Sequence, residues 1–122
     1  YHILVSEVML QQTQVSRVMG KYPAFLKRFP TIQSLAQAPL AAVLKEWGGL
    51  GYNRRAKFLK IIAEEIVLRH SGKVPSNLPE LIALPGVGES TAGGILAFAY
   101  NKPAVFIETN IRRAFLHHFF PN

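Results

Sequence analysis

The sequence predicts an all-α domain, and three observations carry that reading. Apolar residues recur with a helical period along most of the chain, and Pro, Gly, Ser, Thr and Asn punctuate it at intervals suited to short helices. Strand signals are confined to Ala104 to Ile107, too short a stretch to make a sheet alone. At 122 residues, 49% of them hydrophobic, the chain is large enough to close one core, so a single domain over residues 1–122 is expected. There is no repeat of solenoid period, no low-complexity run and no convincing linker.

The first helix is expected through Ile3, Leu4, Val8, Val15 and Met19, stopping near Gly20 before Tyr22-Pro23. Ala24 to Phe29 suits a short second helix. Pro30-Thr31 opens a third through Ile32, Leu35 and Ala36, with Thr31 as N-cap. Pro39 starts the next, through Leu40, Val43, Leu44 and Trp47, and Gly48-Gly49 ends it. The longest helix runs from about Arg54 to His70 with Phe58, Ile61, Ile62, Ile66 and Leu68 as its apolar stripe, and Ser71-Gly72 closes it. A helix from Leu78 to Leu84, a Gly-rich turn and a helix beginning near Ser90 follow. "NKPAVFI" interrupts, and a last helix begins around Thr109 or Asn110.

Composition narrows the function. With no cysteine, the chain can form neither a disulfide framework nor a thiolate metal site. The formal charge of +7 favours a polyanionic partner, although charge alone does not separate nucleic acid from a membrane surface. The longest apolar run, Ala92 to Tyr100, holds two glycines and falls well short of the roughly 20 residues a membrane helix needs, so no membrane partner is expected. The chain starts without Met and inside an apolar pattern, which reads as a piece of a longer protein, and no targeting segment is visible.

Three stretches carry candidate chemistry. In "SEVMLQQTQV", Ser6 to Val15, an acid and three amides sit beside an apolar stripe. On one continuous helix Glu7, Gln11 and Gln14 would share a face at i, i+4 and i+7. A partly exposed polar face is the plain alternative. In "LPGVGESTAG", Leu84 to Gly93, Pro85-Gly86-Val87-Gly88 make a tight reversal and Ser90-Thr91 open a helix, so that amides of Gly86, Gly88 and the first turn point one way, as a phosphate site requires. The glycines alone fit an ordinary helix corner equally well, and Glu89 would repel a phosphate while suiting the helix dipole. In "VFIETNIRR", Val105 to Arg113, Glu108 precedes a helix N-terminus, where a carboxylate stays ionised. Arg54, Arg55, Lys57 and Lys60 cluster after "GLGY"; a solvated helix face is the usual meaning, but beside Tyr52 phosphate contacts are expected of Arg54 and Arg55. His70, His117 and His118 have no spacing that suggests a metal site, and none is expected.

"LPGVGxxTA" resembles the helix-hairpin-helix signature. Taken with "SEVMLQQTQV", "GLGYNRRAKFL" and "FIETNIRR", in this order and spacing, it makes the chain resemble the helix-hairpin-helix (HhH-GPD) base-excision DNA glycosylase superfamily, and within it the adenine DNA glycosylase (MutY) branch. The resemblance runs the length of the chain. It implies a six-helix barrel carrying one helix-hairpin-helix, and a DNA repair glycosylase that flips a mispaired base out of the duplex, adenine opposite 8-oxoguanine or guanine, and hydrolyses its N-glycosidic bond.

By that resemblance Glu7 falls on the acid that protonates the adenine ring, Glu108 on the second acid and Asn110 on its supporting asparagine. Gln11 falls on an amide inserted into the duplex and Tyr52 on its aromatic companion, while Gly86, Val87, Gly88, Ser90 and Thr91 form the hairpin that meets the DNA backbone. Gln12 and Gln14 are left to polar lining. Asn110 would serve equally as an N-cap. A general acid for a purine nitrogen needs a raised pKa, which burial among Leu4, Val8 and their neighbours would supply. The family carries aspartate where this chain has Glu108, and the chain has no aspartate anywhere. Superfamily members that also cut the strand use a lysine after the hairpin to attack the sugar; Ser90 stands there, which implies base release without lyase activity.

The partner implied is double-stranded DNA with a mispaired or damaged base, acted on by a monomer in an intracellular, cytoplasmic or nucleoid-associated setting. No cofactor is expected within this chain; a [4Fe-4S] cluster and an 8-oxoguanine-reading domain are implied only for a full-length protein. Two rivals stay open: a helix-hairpin-helix DNA-binding module with impaired catalysis, for which Glu108 is the best argument, and a related glycosylase acting on another mispaired or damaged base.

Overall fold

A computed structural model describes residues 1–11, 13–51 and 53–100. The expected strand at Ala104 to Ile107, the last helix, and Gln12, Tyr52, Glu108 and Asn110 lie outside the described residues. Among these there are seven helices: α1 (His2–Leu10), α2 (Val15–Arg28), α3 (Ile32–Gln37), α4 (Leu40–Trp47), α5 (Arg54–Arg69), α6 (Leu78–Ile82) and α7 (Glu89–Ala99). No described residue is in a strand, in agreement with the all-α expectation. No helix among the described residues is long and apolar enough to cross a membrane.

The capping chemistry sets several boundaries where they are expected. At α3, Thr31 Oγ1 accepts from the Ser34 amide at 3.1 Å while the Thr31 amide donates to Ser34 Oγ at 3.0 Å, a reciprocal box that satisfies two otherwise stranded donors. Pro39 is the N-cap residue of α4, and Asn77 caps α6 by accepting from the Glu80 amide at 3.0 Å. After α5, Ser71 (φ 54°) and Gly72 (φ 80°) turn left-handed, and the Gly72 amide reaches back to the Ile66 carbonyl, which stops the helix.

The beginning of the chain departs from expectation. One helix from Ile3 to Met19 does not form: α1 ends at Leu10, and Gln11 and Gln14 have extended backbone. In turn α2 runs straight through Gly20 and Pro23, which were expected to stop it. The physical reason is burial. Val18, Tyr22 and Phe25 form a stripe at i, i+4 and i+7, continued by Phe29, and all are at most 1% exposed. Phe25 packs edge-on against Trp47, with ring centroids 6.2 Å apart. Several large buried side chains at about 1.5–3 kcal/mol each outweigh the roughly 3 kcal/mol of an interior proline.

Helix α1 is the centre of the molecule. It contacts α2, α5 and α7, and every residue from Leu4 to Met9 is buried. Such a helix is buried on all sides rather than along one stripe, and Ser6 and Glu7 are enclosed with its apolar residues. Helix α5 lies across α3 and α4 and touches α1. Its buried face is Ala56, Leu59, Ile62, Ala63 and Ile66, so Ile62 and Ile66 fall where expected. Leu68 does not: it is 79% exposed, because it lies off the face that α3 and α4 cover.

Candidate functional site

Because α1 is enclosed, its one carboxylate is enclosed with it. Glu7 is 1% exposed. The side chain reaches α7 at Gly94, so closely that a Cβ there would stand 2.6–2.7 Å from both carboxylate oxygens and Cδ. Glycine inside a helix costs about 1 kcal/mol relative to alanine, and here the missing side chain is the space the carboxylate occupies. Gly94 was not singled out from the sequence. The signal was present in "AGGILAFAY", where adjacent glycines in an apolar helix ask for a packing reason.

The end of α1 is joined to the hairpin. Gln11 Nε2 donates to Thr91 Oγ1 at 2.8 Å and to the Gly86 carbonyl at 3.3 Å. Gln11 and Gln14 do not share a helix face with Glu7, since the helix has ended, and Gln14 is the exposed N-cap residue of α2. What brings Glu7 and Gln11 near the hairpin is the packing of α1 on α7.

The hairpin itself forms as expected between α6 and α7. Gly86 has φ 75°, a left-handed conformation that favours glycine, and a Cβ there would meet the Phe58 ring at 2.9 Å. The turn is thus fitted onto α5. Val87 is buried and its amide donates to the Leu84 carbonyl at 3.2 Å, so it anchors the turn from inside. Thr91 is likewise buried, with its hydroxyl accepting from Gln11. Gly86, Gly88, Glu89 and Ser90 are exposed. Gly88 is the N-cap residue of α7, with nothing within 4 Å of where a Cβ would be. The amides of Gly88, Glu89 and Ser90 have no preceding turn of helix to donate to, and they sit at the positive end of the α7 dipole.

The two arginines after "GLGY" part company. Arg54 is exposed at the start of α5, as is Lys57. Arg55 is only 7% exposed and turns inward, onto the end of α1, where the phosphate contact expected of it is out of reach. Its Nη1 donates to the carbonyls of Val8 at 3.0 Å, Met9 at 2.8 Å and Gln11, and its Nη2 to Thr13 Oγ1 at 2.5 Å and the Gly51 carbonyl at 3.3 Å. The guanidinium also lies 5.2 Å from the centre of the Trp47 ring. The reason is helix-end chemistry: past Leu10 the last carbonyls of α1 keep only long backbone bonds, from the Gln11 amide to Val8 at 3.3 Å and from the Thr13 amide to Leu10 at 3.4 Å, and a cation there also opposes the negative end of the dipole. Lys60 turns inward too, donating to the Ala36 carbonyl at 2.8 Å. His70 ends α5 and lies 3.5 Å from Glu80. Among the described residues no group of three or more His, Cys, Asp or Glu is placed to hold a metal ion.

Comparison with known proteins agrees with this arrangement. Residues 5–122 match the sequence family described as HhH-GPD superfamily base excision DNA repair protein. Adenine DNA glycosylase of Buchnera aphidicola (subsp. Baizongia pistaciae) is 41% identical over 98% of this chain and 34% of its own length. That of Mycobacterium tuberculosis is 45% identical over 93% of this chain and 37% of its own length, and that of Homo sapiens 40% identical over 93% and 21%. The chain therefore spans about a third or less of these relatives. Among solved structures, a thermostable thymine-DNA glycosylase superimposes with a TM-score of 0.82 and 29% identity, over 93% of this chain and 53% of its own. A trapped endonuclease III–DNA covalent intermediate also gives 0.82, at 24% identity over 92% of this chain and 53% of its own, and so bears on the fold alone.

Proposed function

The chain belongs to the HhH-GPD superfamily of base excision DNA repair proteins, and from that membership we propose that its full-length parent is a DNA glycosylase that releases a mispaired adenine from double-stranded DNA, opposite 8-oxoguanine or guanine. One observation carries the reading to this chain's own residues: a glutamate on the central helix is 1% exposed and set against a glycine of the helix that follows the hairpin. A carboxylic acid held in a site closed to bulk water is what leaving-group activation requires.

In the proposed reaction the base leaves the stack and is brought to the Glu7 carboxyl. Glu7 gives its proton to a ring nitrogen of adenine, the C1′–N bond breaks with its electron pair going to the base, and a sugar oxocarbenium ion remains. Glu108, ionised, stabilises that cation, supported by Asn110. Water adds to C1′ and releases a proton, which by way of solvent restores the acid form of Glu7 and completes the hydrolysis. Ser90 in place of a lysine leaves no amine there to form a Schiff base, so release without strand cutting is proposed. Gly86, Gly88, Ser90 and Arg54 dock the phosphate backbone, and Gln11 and Tyr52 fill the vacated stack. The family's [4Fe-4S] cluster has no ligand set here: the chain has no cysteine, and no metal-holding group occurs among the described residues. No step passes through it. A monomer acting inside the cell is part of the same reading.

The test is single-turnover base release by the parent from duplexes carrying A opposite 8-oxoguanine, T opposite G, or an oxidised pyrimidine. Release of A alone is expected. Glu7→Gln keeps the shape but cannot deliver the proton, so release should collapse while duplex binding survives. Glu108 motivates the second reading, a binding module with impaired catalysis, because the family has aspartate there. Under the glycosylase reading Glu108→Gln should cost several kcal/mol of transition-state stabilisation, about the loss of an oxyanion-type contact, and Glu108→Asp should stay within about tenfold of the parent or exceed it. A parent inactive on every base until aspartate is restored would establish the binding-module reading instead.

A further inference from the structure

We propose that Arg55 is a positioning residue: it ends α1 after Leu10 and, by holding two separate chain segments on one guanidinium, sets the Gln11 amide against the hairpin. The geometry is on both sides of the side chain. Nη1 takes the carbonyls of Val8, Met9 and Gln11, which are the end of the helix that carries Glu7 and the residue that leaves it. Nη2 takes Thr13 Oγ1 beyond that residue and the Gly51 carbonyl on the turn before α5. The Gly51 carbonyl is held a second time by Trp47 Nε1 at 3.1 Å, and the Trp47 ring lies beneath the guanidinium. Gln11 is therefore held at its backbone by α5 and at its side chain by Thr91 and Gly86.

This differs in kind from a phosphate contact. Arginine offers several donors in a rigid plane, and hydrogen bonds to protein oxygens engage both Nη atoms of Arg55. The break after Leu10 also acquires a cause. No glycine or proline lies between Leu10 and Val15 to end the helix, but Arg55 bonds the Met9 carbonyl and shares the Val8 carbonyl with the Gln11 amide, 3.3 Å away. A lysine would bring one compact charge with no planar fork, enough for part of this set. The consequence for base extrusion rests on the glycosylase reading; the consequence for the end of α1 does not.

The experiment uses the full-length parent, with Arg55→Met, Arg55→Lys and the milder Thr13→Val, which keeps the arginine and removes one acceptor. Three readouts separate the possibilities. Amide hydrogen exchange of the DNA-free protein should speed selectively over residues 8–14 in Arg55→Met, less in Arg55→Lys and least in Thr13→Val; exchange raised uniformly or not at all over that segment would overturn the proposal. The log–log salt slope of duplex affinity should keep its value in Arg55→Met, whereas loss of a phosphate contact would shrink it by about 0.9 and overturn the proposal in favour of backbone docking. At saturating protein, 2-aminopurine at the target position should brighten several-fold less with Arg55→Met than with the parent, and Arg55→Lys should recover part of it; full brightening would also overturn the proposal. Should the parent itself neither brighten the probe nor release a base, the glycosylase reading would fail, and the exchange result would still decide the role of Arg55. If Arg55→Met does not fold, Thr13→Val and Arg55→Lys carry the same three comparisons.

Discussion

The fit between Glu7 and Gly94 makes a steric claim that a single substitution tests. A valine at position 94 must place its Cβ where the carboxylate oxygens lie, 2.6–2.7 Å away, so the carboxylate has to move. Leaving glycine improves helix propensity by a few tenths of a kcal/mol. The two effects act on different observables. Thermal stability of Gly94→Val should change little or fall modestly, while base release by the full-length parent should drop on the order of a hundredfold, the usual penalty for displacing a reacting group by about 1 Å. Single-turnover rates at saturating protein measure the second effect free of binding. An unchanged rate with a folded protein would mean that the carboxylate is not held by this contact.

At the scale of elements, the pairing of α2 with α1 depends on a phenol. Tyr22 is 1% exposed, and its hydroxyl donates to the His2 carbonyl at 3.1 Å. Burial, with a smaller contribution from Tyr1, pushes its pKa well above the ordinary value of 10.0. The unfolded chain therefore loses this proton first. The stabilisation is fully present below pH 10 and is lost as pH climbs from there through the higher folded value. Tyr22→Phe should cost about 1 kcal/mol at neutral pH through the lost hydrogen bond, and should lose less between about pH 8 and about pH 11 than the parent does. Urea midpoints at the two pH values decide it; the alkaline loss should be reduced rather than abolished, because burial also raises Tyr100.

The same pair of helices shows what was legible beforehand. Thr31, Pro39, Ser71-Gly72 and the glycines of the hairpin announced their turns because capping and left-handed backbone are local chemistry. The break after Leu10 was not legible, for it lies among residues with good helical pattern and has its bonding partner in Arg55, forty-five positions on. Pro23 misled for the opposite reason: its local cost is outweighed by Tyr22 and Phe25 in a core that no window of sequence displays. The motifs singled out Glu7, Gln11 and the hairpin, which the folded chain sets near one another through the packing of α1 on α7; it moves Arg55 from the outer surface to the interior.

For the whole molecule, charge and shape point to one mode of association. The formal charge is +7, and the exposed Gly86, Gly88 and Ser90 stand at the N-terminal end of α7, with Arg54 exposed on α5, the helix whose Phe58 meets the turn at Gly86. Phosphates held by amides and guanidinium groups release condensed counterions, and they carry no base information. The chain by itself should therefore bind undamaged and mispaired duplexes with similar affinity, falling steeply as salt rises, with a slope near 0.9 for each phosphate neutralised. Gly88→Leu should weaken binding several-fold with little effect on folding, because a Cβ at this position meets nothing in the protein and would occupy the approach to the α7 amides. Arg54→Ala should reduce the slope by about 0.9, while Arg55→Met leaves it in place, and that contrast separates the two neighbours by role. Titrations of one labelled duplex across a salt series measure all three. Affinity indifferent to salt would remove the backbone-docking account for the molecule as a whole, whatever its chemistry proves to be.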